Sequence, residues 1–190
     1  MISDKTTIEA CFTSEDPNHF YIQDYAEYTD FNNLQEKLNY FYNSKAGIQY
    51  GHENPVQPFP FTEKLNYKLP LPIAVFKEKR WYRAMLLEIQ TDLKPGNKNR
   101  PFEILGKVEY VDFGTTENRP FQKIFLLHPT FTATPAMCYN CVPSDIGYSK
   151  KNVIDQLSRM NSKDSAGSLV YRFFIHGYNK VDNKYIVEPR

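Results

Sequence analysis

The sequence lacks several features that would indicate a function at once. Its 190 residues include 23 basic and 22 acidic side chains, which give a formal net charge of +1. Proteins that bind nucleic acid usually carry a clear basic excess, so strong binding to a polyanion is not expected. No run approaches 18 apolar residues, and the start, MISDKTTIEA, has no basic-then-apolar pattern. The sequence therefore predicts neither a membrane span nor a secretion signal.

Cysteine is also scarce, with only Cys11, Cys138 and Cys141 in the chain. An odd count in a chain of this length predicts reduced thiols and an intracellular setting. Cys138 and Cys141 form a single C-x-x-C, whereas a structural zinc ion needs about four ligands. The surrounding PAMCYNCVP is typical of a strand and not of a helix start. We therefore interpret both as packing thiols and expect no metal or cofactor.

Aromatic residues are abundant, by contrast, and make up 15% of the chain as 14 Tyr, 14 Phe and one Trp. The hydrophobic share of 41% is enough for a packed core, so wholesale disorder is not expected. This excess of Tyr suits a surface that recognises a ligand.

Periodicity predicts a mainly β protein with helices, in the α+β class. A helix is expected between a capping Asp30 and a stop at Gly47, because apolar residues recur there at helical spacing. A second helix is expected over 152–161. The predicted strands cover 6–12, 19–25, 72–76, 81–90, 104–114, 116–127, 136–143, 168–178 and 184–187.

Residues 48–71 have a different composition, with prolines at 55, 58, 60 and 70 and another at 72. Prolines at this density exclude a helix or a central strand, so we expect an ordered, extended linker. A polyproline ligand for a partner is the alternative. The polar loop at 91–101, which carries Lys94, Lys98 and Arg100, is expected to be solvated, with phosphate contact as its alternative.

The short strands after the linker predict a small, curved antiparallel barrel. The flanking strands are too few on either side to be stable alone, so they should complete one five-stranded barrel of oligonucleotide-binding (OB) type. The predicted domains are a first part of this barrel at 1–47, the linker at 48–71, the small barrel at 72–119, and the second part of the OB-type barrel at 120–190.

The stretch VEYVDFG, residues 108–114, does not fit an ordinary half-buried strand. Strand alternation would put Val108, Tyr110 and Asp112 on one face, with Phe113 on the other. Two aromatic rings flanking a carboxylate, followed by Gly114, suggest that the end of this strand contacts a ligand.

The segments AVFKEKRWYRAMLLEI and VEYVDFGTTE together resemble a Tudor domain. The shared motifs are F-x(5)-Y with W-Y-R-A, followed by Y-x-D-[YF]-G. The flanks HFYIQ and FLLHPTFTATPAMCYNC extend the resemblance to the extended Tudor domain, in which a Tudor SH3-like barrel is inserted into a split staphylococcal-nuclease-like domain. This resemblance covers nearly the whole chain.

The resemblance implies a non-catalytic adaptor in germline small-RNA (piRNA) transposon silencing. Such modules bind arginine-containing, often symmetrically dimethylated, N-terminal tails of Piwi-class proteins, with Arg-Gly or Arg-Ala sequences expected. They act in the cytoplasm, in perinuclear germ granules (nuage). Carried over by motif, the methylarginine cage is Phe76, Tyr82, Tyr110 and Phe113, in a cleft between the two barrels. The alternative is that Tyr82 and Tyr110 are ordinary core aromatics.

Two residues depart from the pattern of the family. Thr115 stands where Asn is common, and it replaces an amide that helps to fix the guanidinium with a shorter hydroxyl. Phe113 stands where Tyr is usual, which keeps the ring and loses its hydroxyl. Asp112 is expected to bond within the turn or to Arg83, and so to orient the cage. These departures leave a methylation-independent docking scaffold as an alternative function.

Nuclease activity is a second alternative, since the flanks resemble a nuclease fold. It would need carboxylates around a metal ion and arginines on the phosphate. The carboxylates Glu9, Asp16 and Asp24 and the distant Arg172 form no such constellation in the sequence, and a fold does not by itself supply an activity.

A weak RNA contact through the OB-type barrel is a third alternative. The aromatic side chains available for stacking on bases are Tyr171, Phe173, Phe174 and Tyr178. We expect them to lie inside the last hairpin.

Overall fold

The computed structural model describes residues 7–12, 20–54, 56, 68–92, 103–144, 162–163 and 169–189. The strands in these ranges are β1 Thr7–Phe12, β2 Phe20–Asp24, β3 Leu71–Lys77, β4 Arg80–Asp92, β5 Glu103–Tyr110, β6 Thr116–Pro120, β7 Ile124–Leu126, β8 Tyr139–Pro143, β9 Ser162–Lys163, β10 Leu169–Asn179 and β11 Lys184–Pro189. The helices are α1 Tyr28–Asn43, α2 Lys45–Glu53 and α3 Pro129–Thr132. The predicted helix at 152–161, half of the predicted linker (55 and 57–67) and the 93–101 part of the polar loop lie outside the described residues.

The chain divides into two compact units. The first unit comprises residues 1–31, 112–114 and 136–190, and the second unit comprises 32–111 and 115–135. This division differs from the predicted boundaries at 47, 71 and 119. β7 pairs with β3 and extends the sheet of the second unit beyond residue 119, and the helices after Phe31 belong to that unit as well.

The first unit is built on a ring of five strands. Its sheet runs in the order β1-β2-β8-β11-β10, and a further pairing of β1 with β10 closes the ring. β9 adds to the end of β10 beyond the part that pairs with β1. All the pairings are antiparallel except that of β8 with β11. A closed five-stranded ring is the arrangement expected for the OB-type barrel.

Alternation along these strands fills the interior of the first unit. In β1, Ile8 and Ala10 are buried while Thr7 and Glu9 are exposed, as the period of two requires. The buried cluster consists of Ile8, Ala10, Phe20, Ile22, Cys141, Phe173, Ile175, Tyr185 and Val187. Cys141 is a free thiol inside this cluster, and burial raises its pKa well above the ordinary range. A thiol that stays protonated is a packing residue and a poor metal ligand.

The helical segment differs from its prediction at both ends. Asp30 lies in the first turn of α1, and the preceding 3-10 turn is capped instead by Asp24, whose carboxylate accepts a hydrogen bond from the Ala26 amide at 2.9 Å. Gly47 does not end the helix. The helix is interrupted at Ser44, and a second helix, α2, continues to Glu53.

α2 also corrects the extended linker predicted from residue 48. The first proline of the run is Pro55, so nothing in the residues before it opposes a helix. Ser44 caps α2 by accepting a hydrogen bond from the Gly47 amide at 3.2 Å. A Cβ on Gly47 would lie 2.0 Å from the carbonyl oxygen of Phe41. Glycine therefore permits the tight corner between α1 and α2.

The second unit contains a five-stranded antiparallel sheet in the order β6-β5-β4-β3-β7. Fully buried residues from four of the strands form its interior, namely Ile73, Val75, Leu86, Val108 and Ile124. The stretch predicted as one strand over 116–127 is two, because a 3-10 turn at Phe121–Lys123 follows Pro120. Short, curved strands of this kind match the predicted SH3-like barrel.

Side chains of α1 bond directly to the backbone of this sheet. The amide of Asn39 accepts from the Trp81 N–H at 2.8 Å and donates to the Trp81 carbonyl at 3.3 Å. The Tyr42 hydroxyl donates to the Leu126 carbonyl at 2.7 Å and accepts from the His128 N–H at 2.9 Å. The Tyr42 and Trp81 rings stack 4.9 Å apart. These contacts explain why this part of α1 groups with the second unit.

Arg83 is a buried cation in the second unit, with 2% of its surface exposed. Its guanidinium donates to three backbone carbonyls, those of Phe131 at 2.9 Å, Thr134 at 2.6 Å and Pro135 at 2.8 Å. The planar guanidinium, with its donors in a fixed fork, suits such a set of acceptors. Arg83 therefore fixes the segment that follows α3.

We expect Arg83→Met to lower the free energy of unfolding by roughly 3 kcal/mol or more. The apolar side chain would fill the space but leave three carbonyls that have lost charge-assisted hydrogen bonds. Thermal or urea unfolding measures the change. Arg80→Met is the matched control, because Arg80 is exposed and should change stability by less than about 0.5 kcal/mol. Equal effects of the two substitutions would show that the Arg83 bonds contribute nothing.

We also expect Gly114→Ala to destabilise the protein by at least about 2 kcal/mol. Gly114 has φ +71°, and a Cβ there would lie 2.0–2.3 Å from the ring of Tyr21. Both the left-handed backbone and the ring oppose a side chain.

The matched control for that substitution is Gly177→Ala, because a Cβ on Gly177 meets no atom within 4 Å. We expect it to change stability by less than about 1 kcal/mol. Denaturant unfolding of both variants checks the pair, and a tolerated Gly114→Ala would contradict the close approach of Tyr21.

Candidate functional site

The β3–β4 hairpin positions the first two predicted cage residues. Its two turn residues, Glu78 and Lys79, both have positive φ, 49° and 66°, which is the two-residue turn that matches strand twist. The register pairs Phe76 with Trp81 and Val75 with Tyr82. Because neighbouring residues of a strand face opposite sides, Phe76 and Tyr82 lie on opposite faces of this hairpin.

Phe76 packs on the face that it shares with Trp81. The two ring centroids are 5.1 Å apart at 48°, and Phe76 remains partly exposed. To line a pocket together with Tyr82, its ring would have to reach around the end of the hairpin. The structure thus places Phe76 beside Trp81, and the role of Phe76 as a cage ring stays a prediction from the resemblance.

Tyr82 and Tyr110 are brought together. Tyr110 pairs with Ala84 across β4 and β5, and Tyr82 lies two residues before Ala84, on the same face. Their rings meet edge to face, 5.7 Å apart at 82°. Tyr82 is partly exposed, whereas only 3% of Tyr110 is exposed. Tyr110 is therefore both a core residue of the sheet and one wall of the candidate site.

Glu117 is a site residue that the sequence analysis missed. It lies in β6 opposite Val108, so it shares the face of Tyr110. The Tyr110 hydroxyl donates to Glu117 Oε1. Glu117 Oε2 lies 3.1 Å from Lys77 Nζ, and Oε1 lies 3.6 Å from Arg119 Nε. The signal in the sequence is the alternation of Glu117 and Arg119, which becomes informative only once the strand register is known.

This network fixes the protonation of its members. Burial, followed by the hydrogen bond to the Glu117 carboxylate, raises the pKa of Tyr110 above its ordinary range. Burial alone would also raise the pKa of Glu117, but hydrogen bonds from Tyr110 and Lys77, with the nearby positive charges, outweigh it and lower that pKa. Tyr110 thus stays a neutral donor to an ionised carboxylate.

A cation of the chain itself lies against the Tyr110 ring. Lys77 Nζ is 5.3 Å from the ring centroid, within the range of a cation–π contact. Arg119 donates a bond of 3.0 Å to the Phe76 carbonyl. The face of the sheet that carries Tyr82 and Tyr110 is therefore bordered by positive charge.

The turn after β5 corrects the expected alternation. β5 ends at Tyr110, and the Tyr110 amide donates to the Thr115 carbonyl at 2.9 Å, so Asp112 and Phe113 lie in a turn and not on a strand. Thr115 is exposed. The hydroxyl that replaces the amide of the family pattern therefore lies at the surface.

Asp112 and Phe113 belong to the first unit. Asp112 is fully buried, and its Oδ1 accepts from the Met137 amide at 3.1 Å, while its carbonyl accepts from the Gln23 side chain at 2.6 Å. The Phe113 ring meets Phe31 edge to face at 5.5 Å. The roles of Phe113 as a cage ring and of Asp112 as its support stay predictions from the resemblance.

Several residues weighed for other functions have structural roles, whereas Asp16 lies outside the described residues. Glu9 and Arg172 form an exposed ion pair at 3.0 Å, and Asp24 caps a turn. Within the described ranges, no group of three or more His, Cys, Asp or Glu side chains could hold a metal ion. Of the aromatics considered for RNA, Phe173 is fully buried, and Tyr171 and Tyr178 pack against the same core.

The described part of the chain includes no helix with the length and hydrophobicity needed to cross a membrane.

Comparisons with known proteins give a consistent result. A comparison with curated protein sequences finds no match. Among solved structures, the extended Tudor domain of Drosophila melanogaster Papi is 16% identical, with a TM-score of 0.68 over 97% of this chain and 88% of that one. The extended Tudor domain of BmPAPI is 14% identical, with a TM-score of 0.68 over 97% and 87%. An extended Tudor domain of mouse TDRD1 is 17% identical, with a TM-score of 0.64 over 100% and 84%.

These similarities confirm the predicted fold, and the family can be assigned from sequence. The profile of the Tudor domain matches residues 2–142, about three quarters of the chain. With the two β units described above, this chain belongs to the Tudor domain family and has the fold of an extended Tudor domain.

Proposed function

We propose that the chain is a non-catalytic reader module that binds arginine-containing tails of Piwi-class proteins, with symmetrically dimethylated arginine as the favoured form. The observation that carries this proposal is the edge-to-face pair of Tyr82 and Tyr110. These are two rings that the family motif assigns to a methylarginine cage. In the other two assigned positions, Phe76 and Phe113 are partly exposed aromatics.

Related structures support the choice of ligand. The BmPAPI domain was solved in complex with sDMA. The Papi domain of Drosophila was solved with a methylated peptide from the N-terminus of Piwi. The TDRD1 domain of mouse was solved with a MILI peptide that contains dimethylarginine. Each of these ligands is a methylated arginine, alone or within a peptide.

The chemistry of the two rings fits such a ligand. Methylation keeps the positive charge of the guanidinium, removes hydrogen-bond donors and adds apolar surface. An aromatic face attracts a flat, weakly hydrated cation by about 0.5–2 kcal/mol, depending on desolvation. Thr115, with its short hydroxyl, replaces the amide of the family pattern, so aromatic contact should contribute a larger share of the affinity here.

A reader role also agrees with what surrounds the rings. The ionised carboxylate of Glu117 is held by Tyr110 and Lys77, so it is engaged in positioning the Tyr110 ring. A neutral Tyr110 with a raised pKa is a donor that fixes geometry and not a proton-transfer group near neutral pH. Binding is the activity that these groups support.

The burial of Tyr110 determines which variant tests the proposal. Replacing Tyr110 with Ala would be the direct test of the cage if the fold were unaffected. With 3% of the residue exposed, that substitution would leave a cavity and remove the donor to Glu117, at a cost of roughly 3–5 kcal/mol. Tyr82 is partly exposed and offers the cleaner substitution.

We expect Tyr82→Leu to weaken binding of a symmetrically dimethylated, arginine-rich tail peptide by about fivefold or more. Leucine keeps apolar volume but has no aromatic face, and the loss of one cation–π contact is worth about 1 kcal/mol. Tyr82→Phe keeps the ring and should bind within about twofold of the unchanged chain. Calorimetric titration measures all three proteins, with thermal unfolding to confirm that each is folded.

The same titration with the unmethylated peptide separates the proposal from its alternative. Tighter binding of the methylated form supports a methylarginine reader. Equal binding of both forms, unaffected by Tyr82→Leu, would contradict it and favour a methylation-independent docking scaffold.

A further inference from the structure

Lys77 lies against the ring of Tyr110, one of the two rings proposed to hold a ligand cation. It ends β3 opposite Arg80, with Val75 two residues earlier opposite Tyr82. Lys77, Val75 and Tyr82 therefore share one face of the hairpin. The Lys77 ammonium approaches the Tyr110 ring centroid to 5.3 Å. The strand register and the distance from the ammonium both place the Lys77 side chain over the Tyr110 ring.

Glu117 holds the lysine there. The ammonium is 3.1 Å from Glu117 Oε2, and the two side chains keep 33% and 30% of their surface exposed. The other carboxylate oxygen accepts the Tyr110 hydroxyl. One carboxylate therefore fixes both the ring and the cation above it, and this arrangement needs no ligand.

We propose that Lys77 is an internal occupant of the aromatic site and that an arginine ligand must displace its ammonium from the Tyr110 ring. This inference rests on the proposed function and adds a property to it. A side chain of the protein itself occupies the site, so the affinity for arginine depends on the competition between the Lys77 ammonium and the ligand for the Tyr110 ring. Lys77 thus acts as a specificity-determining residue that contacts the ligand-binding ring.

The competition favours a methylated guanidinium. An ammonium is compact and strongly hydrated, whereas a guanidinium is planar, delocalised and weakly hydrated, and stacks better on an aromatic face. Lys77 also has a flexible four-carbon stem and is one third exposed, so its ammonium can return to water when a better cation arrives. A ligand with a poorer cation, such as a lysine-containing peptide, gains nothing by replacing an identical group.

Charge near the site gives a second reason why the Lys77 ammonium must leave before a cationic ligand binds. Two described ion pairs next to Tyr110 join the Glu117 carboxylate to Lys77 and to Arg119. With two cations and one anion, the group repels an incoming positive charge until one cation moves away. Removal of the Lys77 charge should therefore increase affinity, although it removes a cation–π contact from the free protein.

The test is calorimetric titration of the whole chain with the symmetrically dimethylated, arginine-rich tail peptide. We expect Lys77→Met to bind about 3- to 10-fold more tightly than the unchanged chain, the range of one exposed cation–π contact together with a surface ion pair. Lys79→Met is the matched control. It removes the same charge from the same hairpin, at an exposed residue, and should stay within about twofold.

A second comparison separates the ring from the carboxylate. Lys77→Met also releases Glu117, which could itself attract arginine. The double variant Lys77→Met with Glu117→Gln is therefore compared with Glu117→Gln alone. A gain that persists between these two proteins supports displacement from the ring, and a gain that vanishes overturns it.

A spectroscopic readout tests the position of Lys77 before any ligand is added. The ε-methylene protons of a lysine held over an aromatic ring shift upfield in the proton NMR spectrum. We expect this shift for Lys77 and not for Lys79, and we expect it to disappear as the peptide is added. Lysine resonances that are identical and unshifted would overturn the inference directly.

The outcomes distinguish this inference from the proposed function. If the unchanged chain binds the peptide and Lys77→Met binds no more tightly than Lys79→Met, the inference fails and the reader function stands. If only Lys77→Met binds, the inference is supported in its strongest form. If neither protein binds, both the reader function and the competition fail, and the NMR shift then reports only where the lysine lies.

Discussion

The first unit depends on one backbone pairing, that of β1 with β10, which places Thr7 opposite Phe174 and Ala10 opposite Tyr171. This pairing turns a row of strands into a closed ring and leaves no open edge between them. It also joins segments from the two ends of the sequence, with the whole second unit between them along the chain. Such non-local pairing is entropically costly and slow to form. The buried cluster around Phe173 can therefore form only after both β1 and β10 have been synthesised.

In the second unit, Tyr110 has a structural role in addition to the binding role proposed for it. Tyr110 fills the interior of the sheet and donates to Glu117, yet its ring also faces Tyr82. A ring fixed by packing and by its hydroxyl loses little freedom when a ligand binds, and this lowers the entropic cost of recognition. The same fixation means that this residue cannot be altered without affecting the barrel.

Much of the fold could be predicted from the sequence because the signals were local. Strand alternation located β3, β4 and β5, and motif spacing identified Tyr82 and Tyr110 as partners. What could not be predicted depended on tertiary contact. The corner at Ser44 is set by the approach of Gly47 to Phe41, and the position of Lys77 over Tyr110 depends on the register of three strands. Glu117 could not be assigned to the candidate site from the sequence for the same reason, because its face of the sheet depends on the strand register.

The bonds between Asn39 and the backbone of Trp81 have a consequence for how a ligand can approach. Trp81 pairs with Phe76 at a position next to the hairpin turn, where its N–H and carbonyl point away from β3. β5 pairs with β4 only from Ala84 onward, so this stretch would otherwise be an open template for strand addition. The Asn39 side-chain amide satisfies both the N–H and the carbonyl of Trp81. It therefore makes the hydrogen bonds that a residue of a neighbouring strand would otherwise make. A peptide therefore cannot extend the sheet at this position by β-augmentation.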